Sequence, residues 1–262
     1  MTWFDVRQGN PLKGLLKNGG PAIGIFVRMP SLEVVEMCGH AGCDFIIIDA
    51  EHGPLSWERV AAMVVAAENV GTTPLLRVSN GTRDLISRGL DAGAHGVMVP
   101  QVESIEMAQA AVTATRYGPE GTRGTAGSSR NGFGMVMGYA EYVPAANDAV
   151  LVVLQIETVA GVESVKEVAG IEGVDCIFIG LTDLSVSLGH PGEYGHPEVE
   201  EHVDRIFDAA TKHGVPVGVP VTDPSMAESY LERGARFVAT GDTGIFGRGV
   251  RSFVEGVRES SA

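Results

Sequence analysis

Eight short, β-branched runs punctuate this 262-residue chain, and longer stretches of helical period separate them. The runs are AIGIFVR (22–28), DFIIIDA (44–50), TPLLRV (73–78), GVMVP (96–100), VLVVLQIE (150–157), DCIFIG (175–180), PVGVP (216–220) and RFVAT (236–240). Most are apolar at consecutive positions, the pattern of parallel strands covered on both faces. The stretches between them, such as SWERVAAMVVAAENVG and EVEEHVDRIFDAATKHG, read as helices, and several stop at glycine. Continuous β–α alternation specifies a parallel sheet. Eight repeats favour closure over an open doubly wound sheet, and no GxGxxG follows the first run. The expected fold is therefore α/β, a (β/α)8 TIM barrel. Such barrels take about 250 residues, so 1–262 reads as one domain. Residues 245–262 read as an amphipathic helix leaving the barrel. The long connection between runs four and five has a Gly- and Ser-rich half, 118–134, expected as a loop on the catalytic side.

Charge narrows the partners. Thirty-three acids against nineteen bases give −14, which argues against nucleic acid and against an anionic membrane surface. A small anionic substrate would need a local cation, from an arginine or a metal. Cys38, Cys43 and Cys176 have no CxxC spacing and read as reduced, buried thiols. The first residues lack the apolar core of a signal peptide, and no run has the length of a membrane span, so a cytoplasmic location is expected.

Active sites of such barrels lie at the C-terminal ends of the strands. There the chain places Asp49, Glu51 and His52 after run two, Arg77 in run three, Gln155 and Glu157 in run five, and Asp183 after run six. Side-chain alternation puts Gln155 and Glu157 on one strand face. Two carboxylates in an apolar mouth repel each other, and a hard dication would remove the conflict. Glu157 and Asp183 read equally as caps of the helices that follow. His52 reads as a base near neutral pH or as a polar packing residue. The other six histidines, at 40, 95, 190, 196, 202 and 213, fall in helices or loops and read as packing residues. Arg77 requires an anion, either a structural carboxylate such as Glu51 or a substrate oxygen. Arg123 and Arg130 in the long loop read as contacts for an anionic acceptor, or as solvated or interface charges. Lys13, Lys17, Lys166 and Lys212 all fall in helical segments, so no lysine ends a strand to form a Schiff base. The electrophile is then expected to be a metal acting as Lewis acid.

FIIIDAEHGP, LLRV, LDAGAHGVMVPQVES, GTRGTAGSSR, LVVLQIET and GVDCIFIGLTDLSVSLG, in this order, resemble the HpcH/HpaI aldolase family. These are class II pyruvate aldolases of the 2-dehydro-3-deoxyglucarate and 4-hydroxy-2-oxoheptanedioate aldolase kind. The resemblance covers nearly the whole chain and implies a phosphoenolpyruvate/pyruvate-type barrel. It implies metal ligation by Glu157 and Asp183, and a substrate-steadying Arg77. It also implies His52 as acid–base group, Gln155 near the substrate, and backbone amides of Gly180, Leu181, Thr182 and Asp183 holding the pyruvate carboxylate. Asp91 matches an aspartate that partners the histidine. Since it precedes run four, it lies at the far end of its own barrel and would act only from another subunit. The resemblance thus implies a homo-oligomer, a trimer or hexamer, with shared sites. Where the family often has Pro-Ala before the metal aspartate, this chain has Leu181-Thr182, and residues 241–246 also depart from the family pattern.

The expected reaction is reversible cleavage of a 4-hydroxy-2-oxo acid to pyruvate and an aldehyde through an enolate, with Mg²⁺ or Mn²⁺ favoured over Co²⁺ or Zn²⁺. Two rivals keep the fold and the metal: oxaloacetate decarboxylation, and acyl-CoA lysis, for which the acidic chain offers no clear basic groove. A third is a binder without chemistry, which would not need an acid–base residue.

Overall fold

The computed structural model describes residues 4–260, so the outermost ends of the expected domain, 1–3 and 261–262, lie outside the described residues. The strands are β1 (Ala22–Val27), β2 (Phe45–Asp49), β3 (Thr73–Arg77), β4 (Gly96–Val99), β5 (Leu151–Ile156), β6 (Cys176–Ile179), β7 (Val217–Pro220) and β8 (Phe237–Gly241). Neighbours pair in parallel in chain order, and β8 pairs β1 to close the barrel. Each strand lies within a residue or two of its expected run.

The helices are α1 (Pro11–Lys17), α2 (Leu32–His40), α3 (Trp57–Asn69), α4 (Arg83–Asp91), α5 (Ile105–Thr115), α6 (Tyr139–Ala149), α7 (Val159–Ala169), α8 (Leu181–Ser187), α9 (Pro197–His213), α10 (Pro224–Arg233) and α11 (Asp242–Glu259). Alternation along the strands divides the core in two. Phe45, Ile47, Leu75, Met98, Leu151, Val153 and Phe178 fill the barrel interior, joined from below by Leu12 and Leu16 of α1. Ile46, Ile48, Leu76, Val152 and Ile177 face the helices instead. The same parity carries on to the mouth. Residues 49, 77, 155 and 157 continue the inward-facing set, so the polar groups that end these strands converge above the apolar plug.

Two expectations need correction. The 118–134 loop lies at the N-terminal end of the barrel, not on the catalytic side. It follows α5, which returns the chain to that end. There Arg123 Nη2 bonds Asp91 Oδ1 at 2.7 Å at the end of α4, and Arg130 Nη1 bonds Glu68 near the end of α3. Both arginines are buried, so neither is a solvated charge nor a lining of this chain's own mouth. The cysteines also differ from expectation: Cys176 is buried, but Cys38 and Cys43 are partly exposed.

α11 leaves the barrel as expected. Only Asp242 in it is buried, while Phe246 and Phe253 are 64% and 74% exposed. Where the barrel's eighth helix would pack, a cavity of about 830 Å³ runs along Ile23, Ile25, Val221, Ala227, Leu231 and Val238. Among the described residues, no helix is long and apolar enough to cross a membrane.

Candidate active site

A cavity of about 460 Å³ opens at the C-terminal mouth, with Arg28, His52, Arg77, Gln155, Gly180 and Asp183 in its wall. Its cationic side is fixed by strand register. β2 and β3 pair Asp49 with Arg77 at their ends. Arg77 donates to Asp49 through Nε at 2.9 Å and Nη2 at 2.6 Å, a two-point clamp that sets the guanidinium plane. Phe26 packs its ring against that plane, 4.8 Å away. Arg28 Nε reaches the same carboxylate at 3.1 Å. Burial pushes the Asp49 carboxyl up. Hydrogen bonds and charge from Arg77, the His52 amide and the Arg28 charge outweigh it and hold the group below the ordinary carboxylate value.

The structural anion of Arg77 is thus mainly Asp49. Glu51, the sequence candidate, is a second contact at 3.3 Å. Asp49 was visible at the end of run two but carried no signal of its own. Arg28 was missed as well. Only its inward parity after Phe26 points to it.

The acidic side comes from β5 and β6. Glu157 is 3% exposed. Its Oε1 accepts the Gln101 amide at 2.8 Å, and Oε2 accepts from Gln155 Nε2. Burial raises the Glu157 carboxyl to about 7. The Gln101 amide opposes the rise, and the charges of Asp183 and Glu51 add to it. Burial also lifts Glu51, against the pull of Arg77 and His52. Gln101 donates from a backbone with φ of 52°, a conformation that costs a non-glycine residue about 1 kcal/mol. Nothing in the sequence marked it.

Capping does not explain the two carboxylates. Thr158, not Glu157, caps α7, its hydroxyl accepting the Gly161 amide at 3.1 Å. Gly180 stands at the N-cap of α8, with no side-chain cap bond. Asp183 sits in the first turn of that short helix rather than in a loop, as the sequence suggested, and it is exposed. Gly180 is constrained by space: a Cβ there would meet Glu157 Oε2 at 2.3 Å and Glu157 Cβ at 2.6 Å. Its N–H donates to Ile156 O at 3.0 Å. The carboxylate-binding amides expected at 180–183 therefore reduce to those of Leu181, Thr182 and Asp183, which as the first turn of a helix have no intrahelical acceptor.

His52 is half exposed at the rim, its Nε2 3.8 Å from Glu51 Oε2. His52 and its expected partner Asp91 stay apart within one chain, because Asp91 ends α4 at the opposite end of the barrel, bonded to Arg123. The four lysines lie in α1, α7 and α9, and Lys13 is held beneath the barrel by Asp175 at 3.1 Å.

The oxygen-rich wall fits a hard dication. Three carboxylates feel one another's charge, and Gln155 Oε1 is buried without a hydrogen-bond partner. Among the described residues no third Asp, Glu, His or Cys joins Glu157 and Asp183 at ligand spacing. Remaining positions would fall to Gln155 Oε1, water and substrate oxygens, the usual arrangement for Mg²⁺.

Known proteins share this arrangement of chain. The family described as HpcH/HpaI aldolase/citrate lyase matches residues 22–246. A protein of Shigella boydii serotype 18 named 5-keto-4-deoxy-D-glucarate aldolase is 38% identical over 90% of this chain and 92% of its own length. The crystal structure of an HpcH/HpaI aldolase/citrate lyase family protein from Burkholderia cenocepacia J2315 superposes with a TM-score of 0.90, at 36% identity, over 95% of this chain and 99% of that one. A citrate synthase structure matches at 29% identity and a TM-score of 0.87, over 95% and 98% of the two chains.

Proposed function

The chain belongs to the HpcH/HpaI aldolase/citrate lyase family, and from that premise we propose that it is a dication-dependent pyruvate aldolase acting as one domain over 1–262. It cleaves a 4-hydroxy-2-oxo acid reversibly to pyruvate and an aldehyde. The observation that carries the reading is the mouth cavity. One side holds a guanidinium locked by Asp49, and the mouth also holds the buried Glu157 carboxylate and a Gln155 Oε1 with no hydrogen-bond partner.

Glu157 and Asp183 would hold the metal, with Mg²⁺ or Mn²⁺ preferred to Co²⁺ or Zn²⁺ by an all-oxygen donor set. When bound, the dication supplies Lewis-acid polarisation of the 2-oxo group. The rest falls to the chain's own groups. The Leu181–Asp183 amides orient the substrate carboxylate. Arg77, unable to swing away from Asp49, directs its remaining N–H groups at the oxygen that becomes the enolate. Preorganised donors of this kind supply the larger share of such catalysis. His52, at the rim, takes the proton from the C4 hydroxyl, directly or through water, as the C3–C4 bond breaks. The electron pair of that bond passes to the pyruvate enolate, and the aldehyde departs.

Asp91 reaches a His52 only when another copy of the chain supplies it. Exposed apolar groups support a homo-oligomer, a trimer or hexamer. Phe246 and Phe253 of α11 are largely exposed, near an apolar groove. The loop tip at Phe133, Met135 and Val136 is exposed on the end that carries Asp91. A cytoplasmic location fits the acidic composition and the unpaired cysteines.

The relatives' name makes 5-keto-4-deoxy-D-glucarate the first substrate to try. With it and Mg²⁺ or Mn²⁺, pyruvate release is expected, and Glu157→Gln should lower kcat/KM at least about a thousandfold, or 4 kcal/mol. Full turnover of that variant in a chelator would remove the metal from the mechanism. Decarboxylation of oxaloacetate without any aldolase activity would favour the rival reaction.

A further inference from the structure

The turn from α8 to α9 brings together side chains that the proposed reaction does not use. The His190 and His196 rings stack with centroids 3.5 Å apart and planes 20° from parallel, so a shared ion requires one ring to turn out of the stack until both in-plane lone pairs meet it. His190 Nε2 lies 2.9 Å from Glu198 Oε2. One donor atom from each of His190, His196 and Glu198 lies within 4.8 Å of the other two. Among the described residues no other trio of His, Cys, Asp or Glu converges this closely. Three of the chain's seven histidines surround Glu198, since His202 Nδ1 bonds the Glu198 carbonyl at 2.8 Å one turn along.

Local sequence builds the cluster. Gly189 and Gly192 turn the chain at φ of 82° and 79°. Pro197 opens α9 and leaves His196 at its N-cap, where Nδ1 accepts the Glu198 amide at 3.3 Å. The cap fixes His196 next to Glu198, and the turn carries His190 back over both.

We infer that His190, His196 and Glu198 form a second cation site, separate from Glu157 and Asp183, that takes a late first-row dication such as Zn²⁺. Two imidazoles and one carboxylate are a zinc donor set, with water in the open position. Imidazole favours zinc, nickel and copper, whereas the oxygen donors of the mouth favour magnesium and manganese. The two sites therefore sort metals by donor chemistry. The cluster is also tied to the reaction centre. His190 N bonds Ser185 O at 2.8 Å, Gly192 N bonds Ser185 Oγ at 3.0 Å, and Tyr194 OH meets Thr182 Oγ1 at 3.1 Å. All three contacts end on α8, which carries Asp183. A cation in the turn would hold that helix end in place.

Metal-free protein should be titrated with Zn²⁺ by calorimetry, and with Co²⁺ by its visible spectrum. A Glu157→Gln, Asp183→Asn double variant isolates the new site. It is expected to keep one Zn²⁺ per chain and to give the intense absorption of four-coordinate Co²⁺. Adding His190→Ala and His196→Asn, where asparagine preserves the cap, is expected to weaken that binding at least about tenfold and to erase the Co²⁺ band. The unfolding temperature without metal should be unchanged by the pair. Absence of Zn²⁺ binding in the mouth double variant, or undiminished binding after the histidine changes, would overturn the assignment. Failure of the aldolase reading would leave this test untouched, because no step of it measures turnover.

Discussion

At the scale of single residues, the mouth works by leaving groups little freedom. Arg77 is held by two bonds, an aromatic face and its strand register. Glu157 is held by a strained amide and by the glycine that makes room for it. The least protected of these supports is Gly180. Gly180→Ala puts a methyl 2.3 Å from Glu157 Oε2, so the carboxylate must move by an ångström or so. Misplacement on that scale costs about a hundredfold in rate. The expected outcome is a kcat/KM loss of that order together with a lowered melting temperature, because Glu157 Cβ at 2.6 Å must also give way, measured by steady-state kinetics and calorimetry. Asp49, Arg77, Gln155 and Glu157 stood at strand ends in the sequence, and Asp183 followed run six. Gln101 and Arg28 were not singled out, and nothing marked Asp49 as the clamp on Arg77, because these groups act through a backbone amide or by fixing another side chain. Spacing records neither role.

At the scale of elements, the eight strands were legible because both faces of each are covered, and continuous apolar runs leave little ambiguity in extent. α8 was not, since LTDLSVS is too short for a periodic signal. The 118–134 segment was misplaced because composition marks a loop without saying which end of the barrel it serves. Its anchors are charged groups far away in sequence. Glu68 on α3 receives Arg130 and also His95 Nε2 at 2.8 Å, and His95 stacks on Phe4. Burial pushes His95 down to about 4, Arg130 adds to the drop, and Glu68 opposes it. The unfolded chain therefore binds a proton near pH 6.5 that the folded chain refuses until about pH 4. Stability is full above 6.5 and is lost as pH falls through that window, by on the order of 2–3 kcal/mol. Urea unfolding at pH 7 and pH 4.5 should show the loss, and His95→Gln should flatten it. An equally steep decline in the variant would place the proton elsewhere.

At the scale of the whole molecule, the barrel is complete in its sheet and incomplete in its shell. α11 does not fill the groove between the outer faces of β1 and β8 and α10, and its Phe246 and Phe253 are largely exposed. Covering Phe246 and Phe253 in another copy would contribute roughly 2 kcal/mol each. Phe246→Asp with Phe253→Asp is expected to dissociate the proposed homo-oligomer in sedimentation experiments. Activity should fall with it, if Asp91 serves a neighbour's His52. A monodisperse monomer with full activity would exclude that role for Asp91. The departing helix was legible as an amphipathic tail. The groove it leaves was not, because only the closed barrel creates it.

The central claim is that the mouth makes an enolate of pyruvate with the help of a dication. Exchange of the pyruvate methyl protons for deuterium, followed by NMR without any aldehyde, isolates that step. Exchange is expected with Mg²⁺ or Mn²⁺, and it should cease in a chelator and in Glu157→Gln. Exchange that persists at full rate in either case, or that never occurs with any dication, would contradict the account.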